Sequence, residues 1–164
     1  IPYSDGLVRN RDVGRTFIEP DQRIRELGVK MKFNPLPEVI ANKRVIIVDD
    51  SIVRGPTTPQ VVSMVRKAGA KEIHMRVASP PIKSTCHFGV DMATLGELIA
   101  YNKTVDEIRD YIGADSLAYL SVEGLHQAVR APDKTYCNGC LTGKYPIPVQ
   151  LEMNKLELGI TQGI

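Results

Sequence analysis

Two adjacent carboxylates, Asp49 and Asp50, end the apolar run Val45–Val48 and open a loop of small and polar residues, Arg44-Val-Ile-Ile-Val-Asp-Asp-Ser-Ile-Val-Arg-Gly-Pro-Thr-Thr58. Ionised carboxylates only accept hydrogen bonds, and they make strong charge-assisted bonds to the vicinal hydroxyls of a ribose. They are also natural ligands for Mg²⁺, which retains water and shares substrate phosphate oxygens. The loop after them can turn its N–H groups toward a phosphate, aided by the dipole of a following helix. Thr57 and Thr58 add hydroxyl donors, and Gly55 lets the backbone approach a ligand closely. Four apolar residues before the acids read as a fully buried parallel strand. The whole then describes a crevice for a phosphorylated sugar outside the carboxyl ends of an open α/β sheet. An ordinary turn before a helix has the same composition, because acids are favoured there in any case.

The second group with chemical potential is Cys137-Asn-Gly-Cys140, with Cys86 about fifty residues earlier. Two thiolates on a Gly-containing turn can face one metal, as in half of a zinc or iron–sulfur site. The same pair can be a redox couple or two incidental thiols, and a lone Cys86 suits a small core position. Three cysteines is an odd number, which argues against a closed disulfide framework and for a reducing, cytosolic compartment. His74 on a strand and His126 on a helix read as solvated or satisfied structural residues. His87, beside Cys86, is a weaker candidate ligand. Lys83 and Lys144 read as surface charges, and Glu97 and Glu107 as capping residues rather than an acid/base pair.

These groups need a scaffold, and 164 residues with 43% hydrophobic content suffice for one domain with a sizeable core. There is no Trp, so the core must be aliphatic. A net charge of +2, from 21 basic and 19 acidic residues, leaves no footprint for nucleic acid or an anionic membrane. No apolar run approaches the ~18 residues of a membrane span, and no signal peptide is evident. Residue 1 is Ile, which reads as a processed, trimmed or partial chain.

Along the chain, residues 1–18 read as a mobile basic loop. Residues 20–27 suit a short helix capped by Gly28, and Val29–Phe33 a half-buried strand ended by Pro35 and Pro37. Residues 44–48 form the buried strand. A helix N-capped by Thr58, with Pro59 at N1, runs to about Ala68, and Gly69 ends it. Residues 71–78 alternate as a second strand, completing a βαβ unit. Two capping boxes, Thr94 with Glu97 and Thr104 with Glu107, start helices. Ser116–Leu120 is a short strand, and Ser121 caps a last helix ending near Arg130. Alternating strands and helices predict an α/β fold, a parallel sheet flanked by helices, over residues 1–132, with an irregular Cys-containing tail over 133–164.

The run Val-Asp-Asp-Ser-Ile-Val-Arg-Gly followed by threonines resembles the phosphoribosyl-pyrophosphate (PRPP) signature of type I phosphoribosyltransferases. The longer segments Asn10-Arg-Asp-Val-Gly-Arg-Thr-Phe-Ile18, Ala78-Ser-Pro-Pro-Ile-Lys83, Ser121-Val-Glu-Gly-Leu125 and Leu141-Thr-Gly-Lys-Tyr-Pro146 resemble amidophosphoribosyltransferases. The resemblance covers nearly the whole chain. It implies the first committed step of purine synthesis, in which ammonia from glutamine displaces pyrophosphate from PRPP and gives phosphoribosylamine. By that resemblance Asp49 and Asp50 bind the ribose hydroxyls and Mg²⁺. Ser51, Ile52, Val53, Arg54, Gly55, Thr57 and Thr58 cradle the 5-phosphate. Arg15 and Thr16 lie on a loop that closes over PRPP.

One branch of the family carries a [4Fe–4S] cluster, and Cys86, Cys137 and Cys140 match three of its four ligands. The fourth lies upstream of the matched region, as do the glutaminase domain that supplies ammonia and the pyrophosphate loop. The chain is thus expected to be the C-terminal part of a homo-oligomeric enzyme, inactive alone with glutamine. Position 56 departs from the family, with Pro in place of the usual Thr or Asn. Proline has no N–H, so one phosphate donor is missing from the loop. Two other readings remain open: a non-catalytic PRPP-binding regulator of the same fold, and a zinc-ribbon-like interaction module built on Cys137 and Cys140.

Overall fold

The computed structural model describes residues 1–10, 31–90, 94–130 and 135–148. Three parallel strands make the main sheet: β3 (Arg44–Asp49), β4 (Glu72–Val77) and β5 (Ser116–Tyr119), in the order β3-β4-β5. The register sets Asp49 opposite Val77, and Val77 opposite Tyr119, so the three carboxyl ends lie side by side. Parallel strands need a crossover. The first is α2 (Thr58–Lys67), and the second includes α3 (Ile99–Asn102) and α4 (Val105–Ile112).

Side chains alternate across each strand. Val45, Ile47, Ile73, Met75, Val77, Leu117 and Tyr119 share one face, against Val62 and Val65 of α2 and Ile108 and Ile112 of α4. The opposite face carries a polar chain. Arg44 pairs with Glu72 at 2.7 Å, and His74 contacts Glu72 at 3.0 Å and the Ser116 hydroxyl at 2.8 Å. His74 is thus the satisfied structural histidine that its position predicted. The expectation that β3 is buried on both faces needs correction. Ile46 is 38% exposed and Val48 72%, because both helices pack on the other face.

The capping signals are realised. Thr94 and Glu97 close a box on the 3₁₀ turn Leu95–Glu97. Thr104 and Glu107 do so on α4, which ends at left-handed Gly113. Ser121 accepts from the Gly124 N–H at the start of α5 (Val122–Ala128). The start of α2 is shifted by one residue: Thr57 is the N-cap, without a side-chain cap bond, and Thr58 is already helical.

The N-terminal stretch differs more. The sequence of residues 1–18 reads as loop, but β1 (Leu7–Arg9) pairs antiparallel with β2 (Phe33–Pro35). Met31 and Lys32 are helical where the sequence suggests strand, and the strand is instead Phe33–Pro35, which ends at Pro35 as expected. Proline is tolerated at a strand edge. A three-residue strand is too short to show alternation, so its signal is the pairing itself. A one-turn helix, α1 (Pro37–Ile40), follows with Pro at its start and buries Ile40. The 20–27 helix and its Gly28 cap lie outside the described residues.

Candidate functional site

Asp49 is the last residue of β3, and its carbonyl accepts the Ala78 N–H at 2.9 Å. Its carboxylate accepts the Asp50 backbone N–H at 3.0 Å, while the Ser51 hydroxyl donates to the Asp50 carboxylate at 3.2 Å. Desolvation at the mouth of the sheet raises the Asp49 pKa above the usual carboxylate range. The bond from Asp50 N–H opposes this shift, and repulsion from the Asp50 carboxylate adds to it. Both residues remain exposed to solvent, so a ligand can reach them. Like charges this close favour a counter-cation or a donor ligand between them.

The loop after the acids is pinned at three points. Ile52 is 2% exposed and sits in the core with Met75, Val77 and Ile99. Val53 packs on a separate cluster built on Ile82 and Leu98, and its carbonyl accepts the Ile99 N–H at 2.9 Å. Arg54 lies 3.5 Å from Glu97. The capping box and this ion pair hold the Glu97 carboxyl below its ordinary pKa, chiefly through the Thr94 N–H. Gly55 has φ +82°, and a Cβ there would lie 2.7 Å from Ile99 Cδ1 and 3.3 Å from Tyr111 Cε1. Only glycine fits that combination of conformation and contact. The Ile52 and Val53 side chains thus face inward, and only their backbone is available to a phosphate.

Sequence reasoning found the acids and the loop. It missed the floor beneath them, formed by Ile99 and Tyr111, and the second role of Glu97. No local pattern marks a residue whose work is to support a loop forty positions earlier. Arg15 and Thr16 lie outside the described residues.

The cysteines gather around α6 (Gly139–Thr142). The Cys140 carbonyl accepts both the Lys83 and Ser84 N–H groups, at 2.9 and 3.0 Å. Cys86 Sγ accepts the Phe88 N–H at 3.4 Å, and Cys137 Sγ the Gly139 N–H at 3.5 Å. Burial raises the Cys140 pKa, and nearby Cys86 and Cys137 push it further. Among the described residues, no three His, Cys, Asp or Glu side chains converge closely enough for a single metal ion. His87 instead packs edge-on to Tyr145, ring centres 4.8 Å apart, and the Tyr145 hydroxyl donates to the Thr85 carbonyl at 2.6 Å. An open cleft of about 830 Å³ adjoins these rings, walled by Ser84, Thr85, Thr94 and Pro146 among others. Among the described residues its lining includes no carboxylate.

A parallel α/β sheet whose first described strand ends in an acidic pair, then a glycine-containing loop at a helix start, is a phosphoribosyltransferase architecture of type I. No family model matches the chain. Individual relatives do. An amidophosphoribosyltransferase of Methanocaldococcus jannaschii is 56% identical over 93% of this chain, and one of Synechococcus elongatus 49% over 96%. A chloroplastic amidophosphoribosyltransferase 2 of Arabidopsis thaliana is 52% identical over 90%. A solved glutamine PRPP amidotransferase from B. subtilis, complexed with ADP and GMP, matches with a TM-score of 0.79 and 50% identity, covering 93% of this chain and 34% of its own. A structure described as the allosteric regulatory enzyme of purine biosynthesis matches equally well, at 51% identity and a TM-score of 0.79. Across nearly its whole length the chain is therefore homologous to amidophosphoribosyltransferases, enzymes of the phosphoribosyltransferase class. It spans 32% of the length of the first two relatives. Among the described residues no helix is long and apolar enough to cross a membrane.

Proposed function

We propose that this chain carries the PRPP site of an amidophosphoribosyltransferase and serves the first committed step of purine synthesis. The observation that carries the reading is the acidic pair at the end of β3, continuous with a loop pinned by Ile52, Val53 and Arg54 and bent at Gly55 before α2. Asp49 and Asp50 accept the two ribose hydroxyls. The backbone N–H groups of Ser51 to Gly55, with the Thr57 and Thr58 hydroxyls, hold the 5-phosphate. Arg15 and Thr16, outside the described residues, would help shield the bound substrate from water, which would otherwise hydrolyse it.

The two exposed carboxylates form an oxygen donor set that suits Mg²⁺. When bound, the ion neutralises charge on the departing pyrophosphate. The transition state resembles an oxocarbenium ion. The protein's own contribution is therefore orientation of the ring and of incoming ammonia rather than a nucleophilic side chain. A glutaminase domain outside this chain supplies the ammonia, and the working enzyme is a cytoplasmic homo-oligomer. Residues 1–132 form the phosphoribosyltransferase unit and 133–164 the tail.

The thiols of Cys86, Cys137 and Cys140 stand near one another without meeting at one point. Soft thiolate ligands suit either a zinc ion or a [4Fe–4S] cluster, and the family resemblance favours the cluster. These three cysteines would hold it, with a fourth ligand from outside the chain. When bound, it supplies a cross-link between tail and core. Iron and sulfide analysis of full-length protein made without oxygen checks this, and absence of both rejects the cluster.

Calorimetric titration of PRPP with Mg²⁺ tests the main reading, with Asp50→Asn as control. Binding that needs Mg²⁺ and is lost in the variant is the expected result. A folded chain that binds neither with nor without Mg²⁺, in this form or within a full-length enzyme, rejects it. A regulator that binds PRPP without turnover is distinguished by assaying full-length protein with ammonia.

A further inference from the structure

The phosphate loop and the cysteine tail are far apart in sequence, yet they share one apolar cluster. Its centre is Leu98, 0% exposed, and Ile82, 8% exposed. Val53 packs on it from the loop, and Cys140 and Leu141 pack on it from α6. Two hydrogen bonds from the Lys83 and Ser84 N–H groups to the Cys140 carbonyl hold α6 in place there. The next residue after Leu98 is Ile99. Its N–H holds the Val53 carbonyl, and its side chain lies beneath Gly55.

We infer that α6 is a strut for the phosphate loop, with Leu141 as a positioning residue that acts through Leu98 and Val53. The physical reason is close packing. A loop whose backbone must present N–H groups to a ligand has no ladder of its own to keep it in shape, so its conformation is set by what its inward side chains rest on. Val53 rests on a cluster that the tail also helps to close. Removing part of that closure lets Leu98 and Val53 relax into the gap and loosens the Ile99–Val53 bond. This inference rests on the sugar-phosphate reading only for its consequence in binding, since the packing stands without it.

The experiment compares the chain with its Leu141→Ala and Leu141→Met variants. Two readouts are taken: amide exchange at Ile99, and affinity for PRPP with Mg²⁺. Leu141→Ala should speed exchange of the Ile99 N–H while the Leu120 N–H, bonded to the Val77 carbonyl within the sheet, stays protected. It should weaken PRPP binding about three- to tenfold. Leu141→Met, which conserves volume, should restore both. In a double-mutant cycle with Val53→Ala, the two losses should be less than additive. Unchanged exchange at Ile99 overturns the strut, and so does faster exchange with undiminished binding. If PRPP binds neither the unsubstituted chain nor a full-length enzyme that contains it, the functional reading fails and the exchange readout alone decides the strut. If Leu141→Ala loses protection throughout, Leu141→Val removes less volume and takes its place under the same criteria.

Discussion

Asp49 shows a tension between folding and function at the scale of one side chain. Its pKa is raised, chiefly by desolvation. An acid whose folded pKa lies above its unfolded value binds more protons when folded, so the metal-free chain gains stability as pH falls through that raised pKa. At neutral pH the ionised group costs stability. Asp49→Asn should therefore leave the neutral-pH stability equal or higher and abolish the gain on acidification, as denaturant titration at two pH values would show. The same change should weaken PRPP binding about ten- to a hundredfold, because a charge-assisted bond to a sugar hydroxyl is worth roughly 1.5–3 kcal/mol. Tyr119 presents the opposite case. Burial pushes its pKa up to about 12, and its hydroxyl is buried without a partner among the described residues. Tyr119→Phe removes an unsatisfied polar group and should be neutral or stabilising by up to ~1 kcal/mol, read from the urea midpoint. A clear destabilisation would reveal a partner for that hydroxyl.

The loop from Ser51 to Thr57 is the element on which the proposed function rests, and its shape comes from the helices beneath it. Gly55→Ala meets two obstacles, a positive φ and a Cβ at 2.7 Å from Ile99 Cδ1. It should cost about 1–3 kcal/mol of stability and displace the loop, with a loss of PRPP affinity of about tenfold or more. Thermal melting and calorimetry on one sample separate the two effects. Pro56 works in the other direction. It supplies no N–H, so Pro56→Thr restores a donor and should tighten PRPP binding or leave it equal. A marked loss would mean that proline's fixed φ shapes the loop. The capping boxes at Thr94 and Thr104 were legible in sequence because their signal is local, an S/T-x-x-E pattern at a helix start. The shift of the N-cap from Thr58 to Thr57 was not, because two adjacent threonines offer the same chemistry and only the path of the loop chooses between them.

At the scale of the whole molecule, the described sheet is covered on one face and bare on the other. Ile46 and Val48 stand on the bare face of β3, whose outer edge has no partner strand among the described residues. Such a surface favours self-association. Replacing both residues by Thr should shift the sedimentation of the isolated chain toward monomer and change stability by only about 0.5 kcal/mol per site. A distribution unchanged at all concentrations would count against the face as the cause. What the sequence determined by itself is whatever depends on neighbours along the chain. The strand that ends at the Asp49–Asp50 pair, the glycine at the bend, the helix that follows and the βαβ alternation are all short-range patterns, and so are the segments that carry the family resemblance. Tertiary structure alone decided the one-sided burial of β3, the β1–β2 ribbon, the inward turn of Ile52 and Val53, and the meeting of Val53 with Leu98 and Cys140. The reason is that burial and packing are properties of distant pairs. A sequence shows that a residue is apolar, and only the folded chain shows what it rests against.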